Sequence, residues 1–256
     1  MEKNKTKNIK RSFWIFIAVI ILAWSWHKSE MSLIGFFVGF KDILIYLKDY
    51  FPPDFSRIPI YIREILVSLS IAIWGTIISL VVSLPLGIMA SRNVIGNVFF
   101  HQILRRFLDF LRAIDQLIFA LIFVVAVGLG PFAGVLALAI HNIGVLGKLI
   151  SEVVESIDKG QVEAITSVGA KKIEVVSFAI MPQILPLWIS NALYRFEVNV
   201  RASVVIGFCG AGGIGFLLWE AIRSFMSKEV CAMLIIMVAM VSVIDLVCSY
   251  IRRRIS

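Results

Sequence analysis

The sequence predicts an all-α membrane protein with about six transmembrane helices and with both termini in the cytoplasm. Hydrophobic residues make up 59% of the 256 residues. Charged residues make up 16%, against about 25% in an average soluble chain. Runs of roughly 20 apolar residues, the length that a helix needs to cross the hydrocarbon core, recur along the chain. They place the six spans at about residues 12–26, 65–90, 116–130, 132–150, 182–206 and 230–250.

The distribution of the basic residues supports this fold and gives its orientation. The formal net charge is +8, which in a soluble protein would raise the question of nucleic-acid binding. With the N-terminus inside, most basic residues fall in inside segments, whereas basic and acidic residues balance in the outside segments. This is the positive-inside bias of membrane proteins, and an even number of spans brings both basic termini to the cytoplasmic side. We therefore interpret the charge as membrane topology and expect no nucleic-acid partner.

The chain is predicted to have two parts, residues 1–60 and residues 61–256. The first part comprises the cytoplasmic N-terminus, the first span and an outside segment. In that segment Ile43, Leu44 and Leu47 follow helical spacing among charges, which favours an interfacial helix over a further crossing. The second part is the transmembrane domain, and it includes a polar cytoplasmic loop over residues 151–181.

Patterns that are typical of enzymes are incomplete in this chain. GAGGIG matches the dinucleotide fingerprint G-x-G-x-x-G, but that fingerprint needs a soluble βαβ unit, and here it follows a membrane span. We assign its glycines to a glycine-rich outer turn: Gly210, Gly212, Gly213 and Gly215. Gly147-Lys148 lacks the Ser or Thr that follows the lysine of a P-loop. The cysteines have no metal-site spacing, so the sequence predicts no catalytic residue, no metal site and no cofactor in this chain.

Charged residues also fall inside the predicted spans, at Arg195, Glu197, Arg201 and Asp245. A charge at the bilayer centre costs at least about 2.5 kcal/mol on insertion scales, so such residues face a partner or a water-filled path. The four-residue spacing of Glu197 and Arg201, acid first, favours an ion pair on one helix. Arg195 then has two possible roles. It could line a pathway for an oxyanion, since the planar guanidinium group matches the geometry of phosphate-type oxygens, or it could pair with Asp245. Together with Asn199, these residues are candidates for a translocation pathway or for structural ion pairs.

The segment QVEAITSVGAKKIEVVSFAIMPQILP, residues 161–186, is a polar interruption between two apolar spans. Its spacing resembles the cytoplasmic EAA loop of ABC importer permeases, in which Glu-Ala-Ala, three residues, Gly and nine residues precede Ile-x-Leu-Pro. Ile165, Ala179 and Met181 depart from that pattern but keep small or apolar character. The resemblance implies an ATPase-coupling loop that includes Glu163, Ala164, Gly169, Lys171 and Pro182.

Four further stretches resemble the phosphonate-transporter branch of that class: FPPDFS at 51–56, SLPLGIMASRN at 83–93, GPFAGVLALAIHNIGVLGK at 130–148 and YRFEVNVRASVVIGFCGAGGIG at 194–215. The resemblance implies a type I ABC importer permease fold, present as a homodimer within the lipid of the inner membrane. It also implies two copies of a separate cytoplasmic ATPase, which bind ATP and Mg²⁺, and an extracytoplasmic binding protein that delivers phosphonate or phosphite. Two alternatives stay open: a permease for another oxyanion or an amino acid, and an ATP-independent channel or secondary transporter.

Overall fold

The computed structural model describes residues 2–94 and 97–255, and the side chains of residues 2–13, 33, 34, 36–38, 41 and 255 lie outside that description. Over the described residues the chain is helical and contains no β-strand. The predicted all-α fold is therefore confirmed. The chain divides into two compact units, residues 1–51 and 52–256, which are described separately below.

The first unit contains helix α1, Glu2–Lys28, and helix α2, Leu33–Lys48. Helix α1 includes the predicted first span, of which residues 12 and 13 lie outside the described side chains, and its described apolar part is Trp14–Lys28. Helix α2 begins at Ser32, whose Oγ accepts a hydrogen bond of 3.0 Å from the Gly35 N–H. With 16 residues, helix α2 is roughly 24 Å long, which is short of the roughly 30 Å hydrocarbon core.

In the second unit, the central contact is between helix α3, Ile58–Met89, and helix α6, Pro131–Glu155. Small residues let the two backbones approach, as is usual for helices packed in lipid. A Cβ added to Gly75 would lie 2.7 Å from Leu138 Cβ, and one added to Gly87 would lie 2.8 Å from Gly147 O. Any larger residue at either glycine would force the two helices apart.

Helix α4, Val98–Ala113, precedes helix α5, Gln116–Val127, and the predicted third span falls on helix α5. The two helices meet at a bend of 87°. Ile114 has an extended backbone there, and the Asp115 side chain starts helix α5 by accepting from the Leu117 N–H at 2.8 Å. The predicted span 116–130 was therefore too long: helix α5 has only 12 residues, roughly 18 Å, and cannot cross the hydrocarbon core alone.

The remaining helices are α7, Lys159–Ser167; α8, Lys172–Val175; α9, Met181–Ile206; α10, Gly213–Arg223; and α11, Ser227–Ile255. Helix α9 is flanked by two π-helical turns, Val176–Ile180 and Gly207–Ala211. Within the described part of the chain, the runs that are long and apolar enough to cross a membrane are Ile58–Met89, Pro131–Glu155, Lys172–Ala211 and Ser227–Arg254. The bent pair α4–α5 adds a fifth if it forms one span. We call the end of helix α9 that carries helices α7 and α8 the coupling end, and the opposite end the glycine-turn end.

Candidate functional site

At the coupling end, the EAA-like segment folds into two short helices joined by a tight turn. Helix α7 starts at Asp158, whose carboxylate accepts from the Gly160 N–H at 2.9 Å. The turn passes through Gly169, which has φ +82° and open space around the position of a Cβ. Helix α8 starts at Lys171, whose backbone N–H donates to Glu174 Oε2 at 2.6 Å. Gly169 is thus required by the conformation of the turn and not by crowding.

The outer side of this pair of helices is exposed. Glu163, Ala164 and Lys171 are all exposed, and Val168 and Ile173 are each 79% exposed. The inner side is anchored, since Val162 packs with a buried cluster formed by the ends of helices α6 and α9. The segment therefore presents mixed polar and apolar side chains outward on a base that belongs to the bundle.

Pro182 explains the π-helical turn that joins this segment to helix α9. A proline inside a helix has no N–H to donate, and its ring clashes with the carbonyl four residues earlier. The widened turn accommodates it, with the Met181 N–H donating to Val176 O. Gln183 reinforces the junction, because its Oε1 accepts from the Asp158 N–H at 3.0 Å and its Nε2 donates to Ala179 O at 2.7 Å.

On one face of helix α9, four charged side chains form a continuous ion-pair chain with helix α11. Glu197 accepts from Arg201 Nη2 at 3.2 Å and from Arg252 Nη2 at 3.1 Å. Arg201 Nη1 also lies 3.3 Å from Asp245 Oδ2. Asp245 thus pairs with Arg201 and not with Arg195. We call these four residues the charge chain; its two acids and two arginines cancel.

Sequence reasoning missed Arg252, which it assigned to the cytoplasmic tail. The signal that could have found it is the helical pattern itself, because helix α11 continues without a break to Ile255. An arginine on the last turn of a spanning helix has a long stem and can turn its guanidinium towards a half-buried acid such as Glu197.

Asn199 lies on another face of helix α9, in a fully buried hydrogen-bond network. Asn142 Nδ2 donates to Asn199 Oδ1 at 2.8 Å, and Asn199 Nδ2 donates to Thr76 Oγ1 at 2.7 Å. The exposed fraction is 0% for Asn142 and Asn199 and 4% for Thr76. This network ties helices α3, α6 and α9 together. Sequence reasoning did not single out Asn142 or Thr76 as partners of Asn199, although an amide beside a histidine in an apolar helix was a signal.

Arg195 differs from the other embedded charges because it has no ion pair or hydrogen bond within the described residues. Its Nε atom is sealed from solvent. The charge of Arg112, at the end of helix α4, acts on it, and Arg195 acts in turn on His141 of helix α6. His141 is itself held by a 2.9 Å contact between Nδ1 and Ile114 O, at the bend between helices α4 and α5. The carboxylate of Asp115 also acts on His141. The two arginines outnumber this one acid, so the neighbourhood of Arg195 has a net positive charge.

The predicted glycine-rich turn folds helix α10 back against helix α9. Gly210, Gly212 and Gly213 have φ of +96°, +77° and +71°. A Cβ on Gly215 would overlap the carbonyl oxygen of Val204. The turn is anchored by hydrogen bonds to other helices: the Gly130 N–H donates to Gly210 O at 3.0 Å, and the Ile214 N–H donates to Ser68 Oγ at 3.0 Å.

The described residues form a bundle of membrane-length helices with an exposed pair of short helices at one end, which is the architecture of a multi-pass membrane protein. Its family follows from sequence comparison: the chain belongs to the binding-protein-dependent transport system inner membrane components, whose family model matches residues 83–256. The predicted resemblance to this class of permease is confirmed, as are the multi-pass inner-membrane location and the role as a transport subunit.

Individual relatives and a solved structure agree with this family. The chain is 37% identical over 239 residues to the phosphite transport system permease protein PtxC of Stutzerimonas stutzeri, covering 93% of this chain and 86% of PtxC. It is 32% identical over 251 residues to the putative phosphite transport system permease protein HtxC of the same organism, covering 98% and 89%. Its fold matches a chain of the inward-facing MetNI methionine ABC transporter with a TM-score of 0.68 at 19% identity, covering 79% of this chain and 99% of that chain.

Proposed function

We propose that this chain is the transmembrane subunit of an ABC importer that carries a phosphorus oxyanion, phosphite or a phosphonate, and that a separate ATPase drives it. The observation that carries the substrate class is the similarity to PtxC over 93% of the chain. The unpaired Arg195 and its cationic surroundings support that class, because guanidinium groups bind tetrahedral oxyanions through paired N–H donors.

Coupling to the ATPase takes place at helices α7 and α8. Their exposed outer side, with Glu163, Val168 and Ile173, offers a surface for a partner, and their inner side rests on helices α6 and α9. ATP-driven movement of the partner then displaces the pair of helices, and the bundle transmits that displacement as a rigid-body motion. The direct continuation from helix α8 through the π-helical turn into helix α9 supports this path.

The complete importer in this proposal contains two copies of this chain, two copies of a cytoplasmic ATPase and an extracytoplasmic binding protein. ATP and Mg²⁺ bind to the ATPase, and this chain holds no cofactor. The positive-inside bias supports an orientation with the coupling end on the cytoplasmic side.

Uptake into proteoliposomes tests this function. The chain is purified with a partner ATPase and a partner binding protein, and internalised phosphite is measured with and without ATP, using inorganic phosphate, methylphosphonate and methionine as competitors. We expect ATP-dependent uptake of phosphite that methylphosphonate reduces and methionine does not. Uptake by the chain alone under an ion gradient would establish an ATP-independent transporter, and preferential methionine uptake would establish the alternative substrate.

A further inference from the structure

Helix α9 carries charged residues on two different faces, and only one face is neutralised. At 100° per residue, Arg195 lies about 200° around the helix from Glu197 and about 240° from Arg201. The face with Glu197 and Arg201 is closed by the charge chain, in which each arginine contacts a carboxylate within 3.3 Å. Arg195 lies around the helix from those acids and makes no ion pair with them.

The positive charge of the Arg195 guanidinium is not compensated by an anion among the described residues. An unpaired cation in a spanning helix is unfavourable unless a partner or a water-filled path compensates it. Its Nε is buried without an acceptor, and its two Nη atoms make no hydrogen bond or ion pair with the described residues. The arginine that acts on it, Arg112, has the same sign and increases the local positive potential.

His141 adds a third group to this cluster. A carbonyl oxygen can only accept, so the 2.9 Å contact with Ile114 O makes Nδ1 the donor. This contact fixes the orientation of the ring and leaves Nε2 available for a ligand. Because Ile114 lies at the bend between helices α4 and α5, the bend itself positions the histidine.

The network of Asn199, Asn142 and Thr76 makes this cluster rigid. Asn199 lies four residues after Arg195, on nearly the same side of helix α9, and Asn142 directly follows His141. The 2.8 Å hydrogen bond between the two amides therefore fixes the register of helix α9 against helix α6 beside Arg195 and His141. Preorganisation of this kind is what a binding site built on helices requires.

From this geometry we infer that Arg195, with Arg112 and His141, forms an oxyanion station inside the membrane domain, at which a tetrahedral phosphorus oxyanion is held during translocation. The inference rests on the proposed function and deepens it, because it assigns the transported anion to one of the two charged faces of helix α9. Arg195 supplies the charge and the paired donors, Arg112 supplies further positive potential, and the pinned His141 supplies a polar nitrogen.

The test is the ratio of phosphite taken up to ATP hydrolysed in proteoliposomes that contain the ATPase and the binding protein. Arg195→Met removes the charge and keeps an unbranched apolar side chain, and we expect the ratio to fall by at least about 10-fold, the effect of losing a hydrogen bond to a charged group. Arg195→Lys keeps the positive charge but lacks the paired N–H donors of the guanidinium group, so its ratio should lie between those of Arg195→Met and the wild type. Arg201→Met is the matched control on the other face, and its heat stability should fall while its ratio stays that of the wild type.

Each outcome decides the question. An unchanged ratio in Arg195→Met, in liposomes where the wild-type chain imports phosphite, overturns the station and leaves the proposed function intact. Loss of heat stability with an unchanged ratio assigns Arg195 to a lipid headgroup or to packing, which also overturns it. If the wild type imports no phosphite, the proposed substrate is wrong, and the same ratio measured for inorganic phosphate then decides whether Arg195 serves another tetrahedral oxyanion.

Discussion

The two ends of helix α9 are built from the same elements, a π-helical turn and a glycine with positive φ, but their surroundings are opposite. At the glycine-turn end, Gly213 and Gly215 are buried, and a Cβ on either would meet another helix or the backbone. At the coupling end, Gly169 has φ +82° and nothing within 4 Å of a Cβ position. The glycine-turn end is therefore fixed to the bundle by close packing, whereas the coupling end keeps its shape by local conformation.

This difference suits a helix that transmits force. The glycine-turn end is held by hydrogen bonds from Gly130 to Gly210 and from Ile214 to Ser68, which come from elsewhere in the bundle. The turn of the coupling end is held mainly by contacts between near neighbours, such as Lys171 with Glu174. In the proposed coupling mechanism, a partner therefore moves the coupling end without breaking packing at the glycine-turn end.

The largest effect should come from Gly215→Ala. The new Cβ would overlap the Val204 carbonyl oxygen, and neither backbone segment can move without displacing helix α10. Overpacking of this kind costs about 3 kcal/mol or more, so we expect little folded protein in the membrane fraction. Gly39→Ala is the control, because the Cβ at that position meets nothing within 4 Å and the protein level should not change. Normal levels of Gly215→Ala would show that the glycine-turn end yields as easily as the coupling end.

A smaller loss of stability is expected from Ser68→Ala. Ser68 is fully buried, and its Oγ accepts the Ile214 N–H, one of the donors that the start of helix α10 leaves without a partner in its own helix. Leaving that N–H buried and unsatisfied should cost about 1–3 kcal/mol, measured as a lower midpoint of thermal denaturation in detergent. Ser70→Ala, two residues away and exposed, should behave like the wild type. Equal midpoints for the two variants would argue against a rigid anchor.

Much of this arrangement could be predicted from the sequence because it depends on local spacing. The pair of Glu197 and Arg201 follows from a four-residue interval, and the turns at Gly169 and Gly210 follow from glycine itself. The predicted third span began at residue 116, where helix α5 begins, but it was extended to residue 130, beyond the end of the helix at Val127. Gly128, the C-cap of helix α5, was a helix-end signal that could have corrected it.

Contacts between distant residues could not be predicted in the same way. Asn142 and Asn199 are 57 residues apart, and Glu197 and Arg252 are 55 apart. Their pairing depends on the register and rotation of packed helices, which an apolar pattern leaves undetermined. For the same reason the sequence left Asp245 open to Arg195, whereas the rotation of helix α9 turns Arg195 away from helix α11.

At the coupling end, a comparison of Gly169→Val with Gly169→Asn tests whether the positive φ of the backbone at this position matters for transport. The left-handed backbone at φ +82° costs an ordinary residue roughly 1–2 kcal/mol, a β-branched residue more, and asparagine less. We expect Gly169→Val to accumulate normally in the membrane but to lose most ATP-dependent phosphite uptake, because the turn between helices α7 and α8 changes shape. Gly169→Asn should retain uptake. Full uptake by Gly169→Val would remove the turn from the coupling path.

The smallest effect should come from Asp158→Ala, which tests whether helix α7 can loosen without loosening the glycine-turn end. Asp158 caps helix α7 through the Gly160 N–H at 2.9 Å, and loss of an exposed cap costs about 1 kcal/mol. Its backbone N–H still donates to Gln183, so the junction with helix α9 remains. Hydrogen exchange should therefore become faster in helix α7 alone, with the midpoint of thermal denaturation unchanged, and Asp158→Asn, which keeps a capping oxygen, should exchange like the wild type. Faster exchange that extends into helix α10 would mean that the two ends of helix α9 unfold together. The glycine-turn end and the coupling end would then not be stabilised in different ways.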